Sequence, residues 1–111
     1  MTMTKQQIIE QVEDFVYGTL KNTITEYYEK NLKNLSVPQI RINYGSSYAK
    51  IIVGSSAWGF IALKEGKSDR HTQGDLLRAA TWNSPSPISR GSILDGTAKF
   101  DTYGPNYSYE L

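Results

Sequence analysis

Apolar residues along the first third of the chain return at three- and four-residue steps: Ile8, Ile9, Val12, Phe15, Val16, Leu20, Ile24, Tyr27, Tyr28, Leu32 and Leu35. The spacing predicts an amphipathic helix over 4–35. Thr4 with Gln7 three residues later fits a capping box at its start, and Val37-Pro38 supplies the stop, because the residue before proline is pushed out of helical geometry. Gly18 and its neighbouring threonines weaken the middle, which marks either a bend or a close contact with another backbone. About 30 helical residues would measure about 45 Å, whereas a globule of this size has a radius of gyration of only about 13 Å. The helix is therefore expected to overhang its own domain. Its stripe would then be covered by self-association, or the helix would break and fold back on itself.

After Pro38 the period changes to two. Ile40, Ile42 and Tyr44 alternate with Gln39, Arg41 and Asn43, Gly45-Ser46-Ser47 interrupts, and a second strand follows from Tyr48 to Val53, which makes a hairpin. Gly54-Ser55-Ser56 is the next turn, and the segment 57–63 is apolar and aromatic enough for a central strand, with Gly59 marking a bulge or a close approach. Lys64 to Gln73 reads as a loop, and Asp75 to Trp82 as a strand for which a helix is the competing reading. Asn83 to Leu111, rich in proline and glycine, reads as a loop region with one short strand at Thr97 to Thr102. The whole, residues 1–111, is expected to be one α+β domain, a long N-terminal helix (4–35) packed on an antiparallel sheet of four to five strands (39–111), assembled into a homo-oligomer.

Composition narrows the function. At 111 residues there is room for one core, and 8 Tyr, 3 Phe and 2 Trp place the chain in the globular range. The net charge of +1 argues against a nucleic-acid polymer as partner, and the short apolar runs against a membrane span. With no cysteine and a polar start, a cytoplasmic setting is expected. His71, the only histidine, sits in a loop and reads as a solvated residue rather than a general base. No metal-ligand spacing, nucleophile elbow or phosphate-binding glycine loop occurs, so no catalytic residue, metal or cofactor is expected.

The stretch from Gly74 to Gly96 carries the most chemistry. Trp82 could stack on a base, Asn83 could meet a base or ribose edge, Arg90 could fork onto a phosphate, and Asp95 could hold ribose hydroxyls or orient Arg90. In the structural alternative Trp82 is core, Arg90 and Asp95 form a local ion pair, and the prolines only stiffen a loop. Should Arg90 not serve, Arg41, Lys50 or Arg78 is the next place for a phosphate.

The strings Trp58-Gly59-Phe60-Ile61, Gly74-Asp75-Leu76-Leu77-Arg78-Ala79-Ala80-Thr81-Trp82, Arg90-Gly91-Ser92-Ile93-Leu94-Asp95-Gly96 and Tyr103-Gly104-Pro105-Asn106-Tyr107 resemble a family of small phage-encoded proteins, the first-described anti-Thoeris sponges. The resemblance covers roughly the second half of the chain, with Thr81 and Ser86 departing from the family pattern. It implies a non-enzymatic protein of the host cytoplasm that sequesters cyclic ADP-ribose isomers made by TIR-domain defence enzymes, and in some members cyclic oligonucleotides, in pockets between protomers. It points to Trp82, Asn83, Arg90 and Asp95 as pocket residues, with Arg78 and Tyr103 beside them. The rival expectation is a protein-binding inhibitor of a host enzyme acting through its helix or its aromatic surface.

Overall fold

The protein is described here by a computed structural model, which covers residues 3–65 and 72–105. The expectations placed on His71, on the middle of the 64–73 loop and on the tail beyond Pro105 lie outside the described residues. A helix of 27 residues runs as α1 (Lys5–Asp14), a π-helical segment (Phe15–Leu20) and α2 (Lys21–Asn31). It packs with a five-stranded antiparallel sheet whose strands lie in sequence order. These are β1 (Ile40–Tyr44), β2 (Tyr48–Val53), β3 (Ser56–Ala62), β4 (Asp75–Ala79) and β5 (Pro85–Ser92). A two-stranded ribbon, β6 (Phe100–Asp101) and β7 (Gly104–Pro105), follows.

The helix begins as the sequence indicates. Thr4 Oγ1 accepts from Gln7 N–H at 3.1 Å and Gln7 Oε1 accepts from Thr4 N–H at 2.9 Å, a closed capping box. Ile8, Val12, Val16, Leu20 and Ile24 are all fully buried, and they recur strictly every fourth residue. In a regular α-helix a four-residue step overshoots a full turn by about 40°, so four such steps would carry the stripe about 160° around the axis. The π segment takes up that drift. Its bonds reach five residues back, as from Lys21 N–H to Val16 O, and its wider turn keeps the five side chains on one face.

That face is covered by the protein's own sheet, which corrects the expected overhang. The body measures 44 × 35 × 25 Å, so a helix of about 40 Å fits along a molecule of this length even though the radius of gyration is 13.6 Å. A flattened two-layer body is longer than a sphere of equal mass. Self-association through the Ile8 to Leu35 stripe therefore loses its driving force over the buried part; Ile9, Tyr27 and Leu32 are half-buried, and Leu35, 59% exposed, is the most open to solvent. No helix among the described residues is long and apolar enough to cross a membrane.

Gly18 makes no close contact with another backbone, since a Cβ there would meet nothing within 4 Å beyond its own helix, and it lies within the π segment. Gly18→Ala is expected to raise stability by about 0.5–1 kcal/mol by restricting the unfolded chain. A thermal melt checks this. A fall in melting temperature would show that the π turn needs glycine's freedom.

The hairpin of β1 and β2 and the central strand β3 stand where the alternation put them. Gly59 has both expected properties. The β2–β3 register slips beside it, and a Cβ at Gly59 would sit 2.8 Å from Pro105 Cγ and 3.0 Å from Leu77 O. The bulge also turns Trp58 into the helix-side core, where its indole N–H donates to Thr102 O at 3.2 Å and its ring meets Phe100 edge-on at 5.9 Å. Phe100 in turn packs on Phe15 of the helix at 5.1 Å, so the C-terminal ribbon seals this layer.

Two expectations in the second half are corrected. The strand expected over Asp75 to Trp82 ends at Ala79, because Ala80 and Thr81 turn their N–H groups onto Ser84 O at 2.9 and 3.1 Å. The region expected to be loop from Asn83 onward contains β5, an eight-residue edge strand that carries Pro85 and Pro87 at a place where missing donors are tolerated. The expected strand at Thr97 to Thr102 is reduced to Phe100–Asp101.

Candidate functional site

On the face of the sheet away from the helix, alternation brings together Arg41 and Asn43 of β1, Tyr48 and Lys50 of β2, Phe60 of β3 and Leu77 of β4. Asn43 lies opposite Lys50, which lies opposite Phe60. Arg41 is the diagonal neighbour of Lys50, a separation of about 7–8 Å between strand positions. Lys50 is the one cation in a strand that otherwise reads Tyr-Ala-Ile-Ile-Val.

The β4–β5 turn supplies the aromatic group. Thr81 Oγ1 accepts from the N–H groups of Asn83 and Ser84 at 3.3 and 3.1 Å, and Pro85 restricts the exit, so the tip is held by its own backbone. It carries Trp82 over the sheet, with Lys50 Nζ 3.6 Å from the centre of the indole ring. The ammonium engages the ring by a cation–π contact while Trp82 remains 47% exposed. An exposed π surface with one cation against it and a second, Arg41, on the same sheet face can hold a flat aromatic group and an adjoining anion.

The residues expected to share one pocket are dispersed within the protomer. Trp82 and Asn83 sit together at the tip of the β4–β5 turn, and Arg78 is exposed on β4. Arg90 is 4% exposed and engaged within the fold, so its guanidinium does not present a fork to an outside phosphate. Asp95 belongs to the other end of β4 and β5, beyond the Asp75–Ser92 pair, whereas Trp82 lies beyond Ala79–Pro85; the length of β4 separates them by about 13 Å. Its carboxylate accepts from Thr97 N–H at 3.0 Å and from the Thr97 hydroxyl, and these bonds hold its pKa below the usual carboxylate value. Asp95 thus fastens a turn. Tyr103 lies on the helix side, 68% exposed, where its hydroxyl donates to that of Tyr27 at 3.1 Å; this bond raises the Tyr103 pKa.

Tyr103 borders a separate cleft of about 330 Å³, walled by Tyr28 of α2, Trp58, and the β2–β3 turn at Gly54 to Ser56. Its volume falls in the range of small-molecule sites, yet its lining carries hydroxyls and aromatic rings and no charged side chain. No spacing along the chain signals this cleft, because its walls come from four separated segments, 24–28, Pro38, 53–58 and 102–103. From the sequence, Lys50 stands only as a second choice for a phosphate, together with Arg41 and Arg78.

Comparison of the chain with protein-family profiles, with curated proteins and with solved structures finds no match.

Proposed function

We propose that this protein binds a cyclic nucleotide immune signal, a cyclic ADP-ribose isomer or a related cyclic oligonucleotide, and sequesters it without degrading it, acting as a phage counter-defence protein in the host cytoplasm. The observation that supports the reading is the exposed Trp82 indole clasped by Lys50, with Arg41 on the same sheet face. The indole offers a stacking surface for adenine, worth about 1–3 kcal/mol per base, and the two cations offer partners for the linked phosphates. The second support is the string resemblance to the anti-Thoeris sponges, within which Trp82 and Asn83 fall. Arg90 and Asp95 then serve the fold that carries the site rather than the ligand. The alternative, a protein-binding inhibitor, loses the buried apolar stripe of the helix as its instrument; among the described residues, exposed aromatic side chains such as Trp82 and Tyr103 remain to it.

Calorimetric titration with cyclic ADP-ribose isomers, followed by heat denaturation and mass spectrometry of the released molecule, tests the proposal. Recovery of intact ligand is expected. Trp82→Ala and Arg41→Ala should each weaken binding about tenfold or more with little change in melting temperature, since both residues are exposed. Absence of binding to every isomer and cyclic oligonucleotide tried, or recovery of a cleaved product, would sink the reading.

A further inference from the structure

The cleft beside Tyr103 carries chemistry that the Trp82 face does not use. Tyr28, Ser55, Ser56 and Thr102 each bring a hydroxyl to its lining, and none of these four hydroxyls makes a hydrogen bond among the described residues. Thr102 matters most. The residue is only 8% exposed, and an enclosed hydroxyl left without a partner costs free energy. Its oxygen is not sealed from solvent, so it opens on the cleft that the residue lines.

The walls are fixed before any ligand arrives. Trp58, 4% exposed, is held by its indole N–H on Thr102 O at 3.2 Å. The β2–β3 turn is pinned where Gly54, at φ +64°, donates its N–H to Gln39 O at 2.8 Å. Tyr103 and Tyr28 stand edge-on to Tyr27 with ring centres 5.4 and 6.3 Å away, and the Tyr103 hydroxyl is engaged on that of Tyr27. A pocket held in this way loses little freedom when it is filled.

Its chemistry selects the occupant. Among the described residues the lining holds no charged side chain, so an anion would give up water without meeting a cation, and an ammonium group without meeting a carboxylate. Hydroxyls both donate and accept, which suits a ligand whose own groups do the same. The rings of Tyr28, Trp58 and Tyr103 suit an apolar face on that ligand. We propose that this cleft is a second binding site, which takes an uncharged sugar ring: the hydroxyl edge of the sugar meets Thr102 and the Ser55–Ser56 turn, and its C–H face lies against the aromatic walls. The volume of about 330 Å³ stands at the lower end of small-molecule sites, which fits a small saccharide rather than a polymer. The inference does not rest on the ligand reading at Trp82, which lies on the face of the sheet away from the helix.

Amide-resolved NMR of the full chain, titrated with glucose, galactose or ribose to about 50 mM, should move the signals of Gly54, Ser56 and Thr102 with a Kd in the millimolar range or tighter, and leave those of Lys50 and Trp82 in place. Glucose 6-phosphate, glucuronate and choline should bind there about tenfold more weakly or not at all. Thr102→Val keeps the side-chain shape and removes the hydroxyl, and should weaken sugar binding about fivefold, whereas Thr102→Ser should stay within about twofold of the parent. Should Thr102→Val not fold, Ser56→Ala, at the exposed start of β3, makes the same test with an expected loss of about threefold. Cleft signals that none of the three sugars moves, or that choline or either anion moves more readily than glucose, overturn the proposal. So does equal sugar binding by the parent and by both hydroxyl-deleting variants. A cyclic nucleotide that binds at Trp82 while no sugar binds in the cleft would sink this inference alone, and the converse result would sink only the functional reading.

Discussion

Gly91→Ala is expected to destabilise the protein by about 3 kcal/mol or more, enough to remove a large share of the stability of a domain this size. Gly91 lies within β5 at φ +95°, and a Cβ built on it would collide with the Thr97 carbonyl and lie 2.8 Å from Ala98 Cα. Both neighbours are backbone, held against β5 by the Ala98 and Lys99 hydrogen bonds, so neither can move aside as a side chain would. Gly96→Ala is the control. Gly96 has φ +78° but open space around its Cβ position, so only the conformational strain of about 1–2 kcal/mol should appear. Urea denaturation of the two variants separates strain from collision, and equal losses would contradict the packing described for the 93–99 segment.

Trp58→Ala should cost about 3–5 kcal/mol, because it removes an indole that is 4% exposed, its hydrogen bond to Thr102 O, and the ring on which Phe100 packs. Trp58→Phe should recover part of that loss by refilling the space. The second tryptophan behaves oppositely: Trp82→Ala should lie within about 1 kcal/mol of the parent in the same denaturation experiment, its contact with Lys50 being at a partly exposed site. Comparable losses at the two positions would place Trp82 in the core and contradict its proposed use.

Much of the fold was legible in the sequence where burial and local chemistry agree. Thr4 and Gln7 announced the helix start, the alternation from Gln39 to Val53 announced the hairpin, and Gly59 marked both a slip in register and a close approach. β5 was hidden. Its Pro, Ser and Gly residues have low strand propensity, and what makes it a strand is the neighbouring β4 together with the segment 98–99 that bonds to it. The overhanging helix was an error of shape rather than of pattern, since an average radius says nothing about a flattened body. The site was legible in kind but not in membership. Trp82 could be named from its place at a strand exit before a Pro-rich loop, whereas Lys50 and Arg41, second choices for a phosphate in the sequence, join it because β1 and β2 present them on the same face, and Arg90, expected as a phosphate fork, is folded inward.

The π-helical segment makes the length of the chain negotiable at one place. Its wider turn holds one residue more than an α-helix needs to bring Leu20 under Val16. A chain shorter by one residue near Gly18 would space its buried positions by four, four, three and four, an ordinary α-helical stripe, and would still offer the same five side chains to the sheet. Natural relatives that differ by a single-residue deletion at this point could thus share the core unchanged, so an alignment gap in the middle of a continuous helix, ordinarily a sign of error, would here be the expected trace of descent.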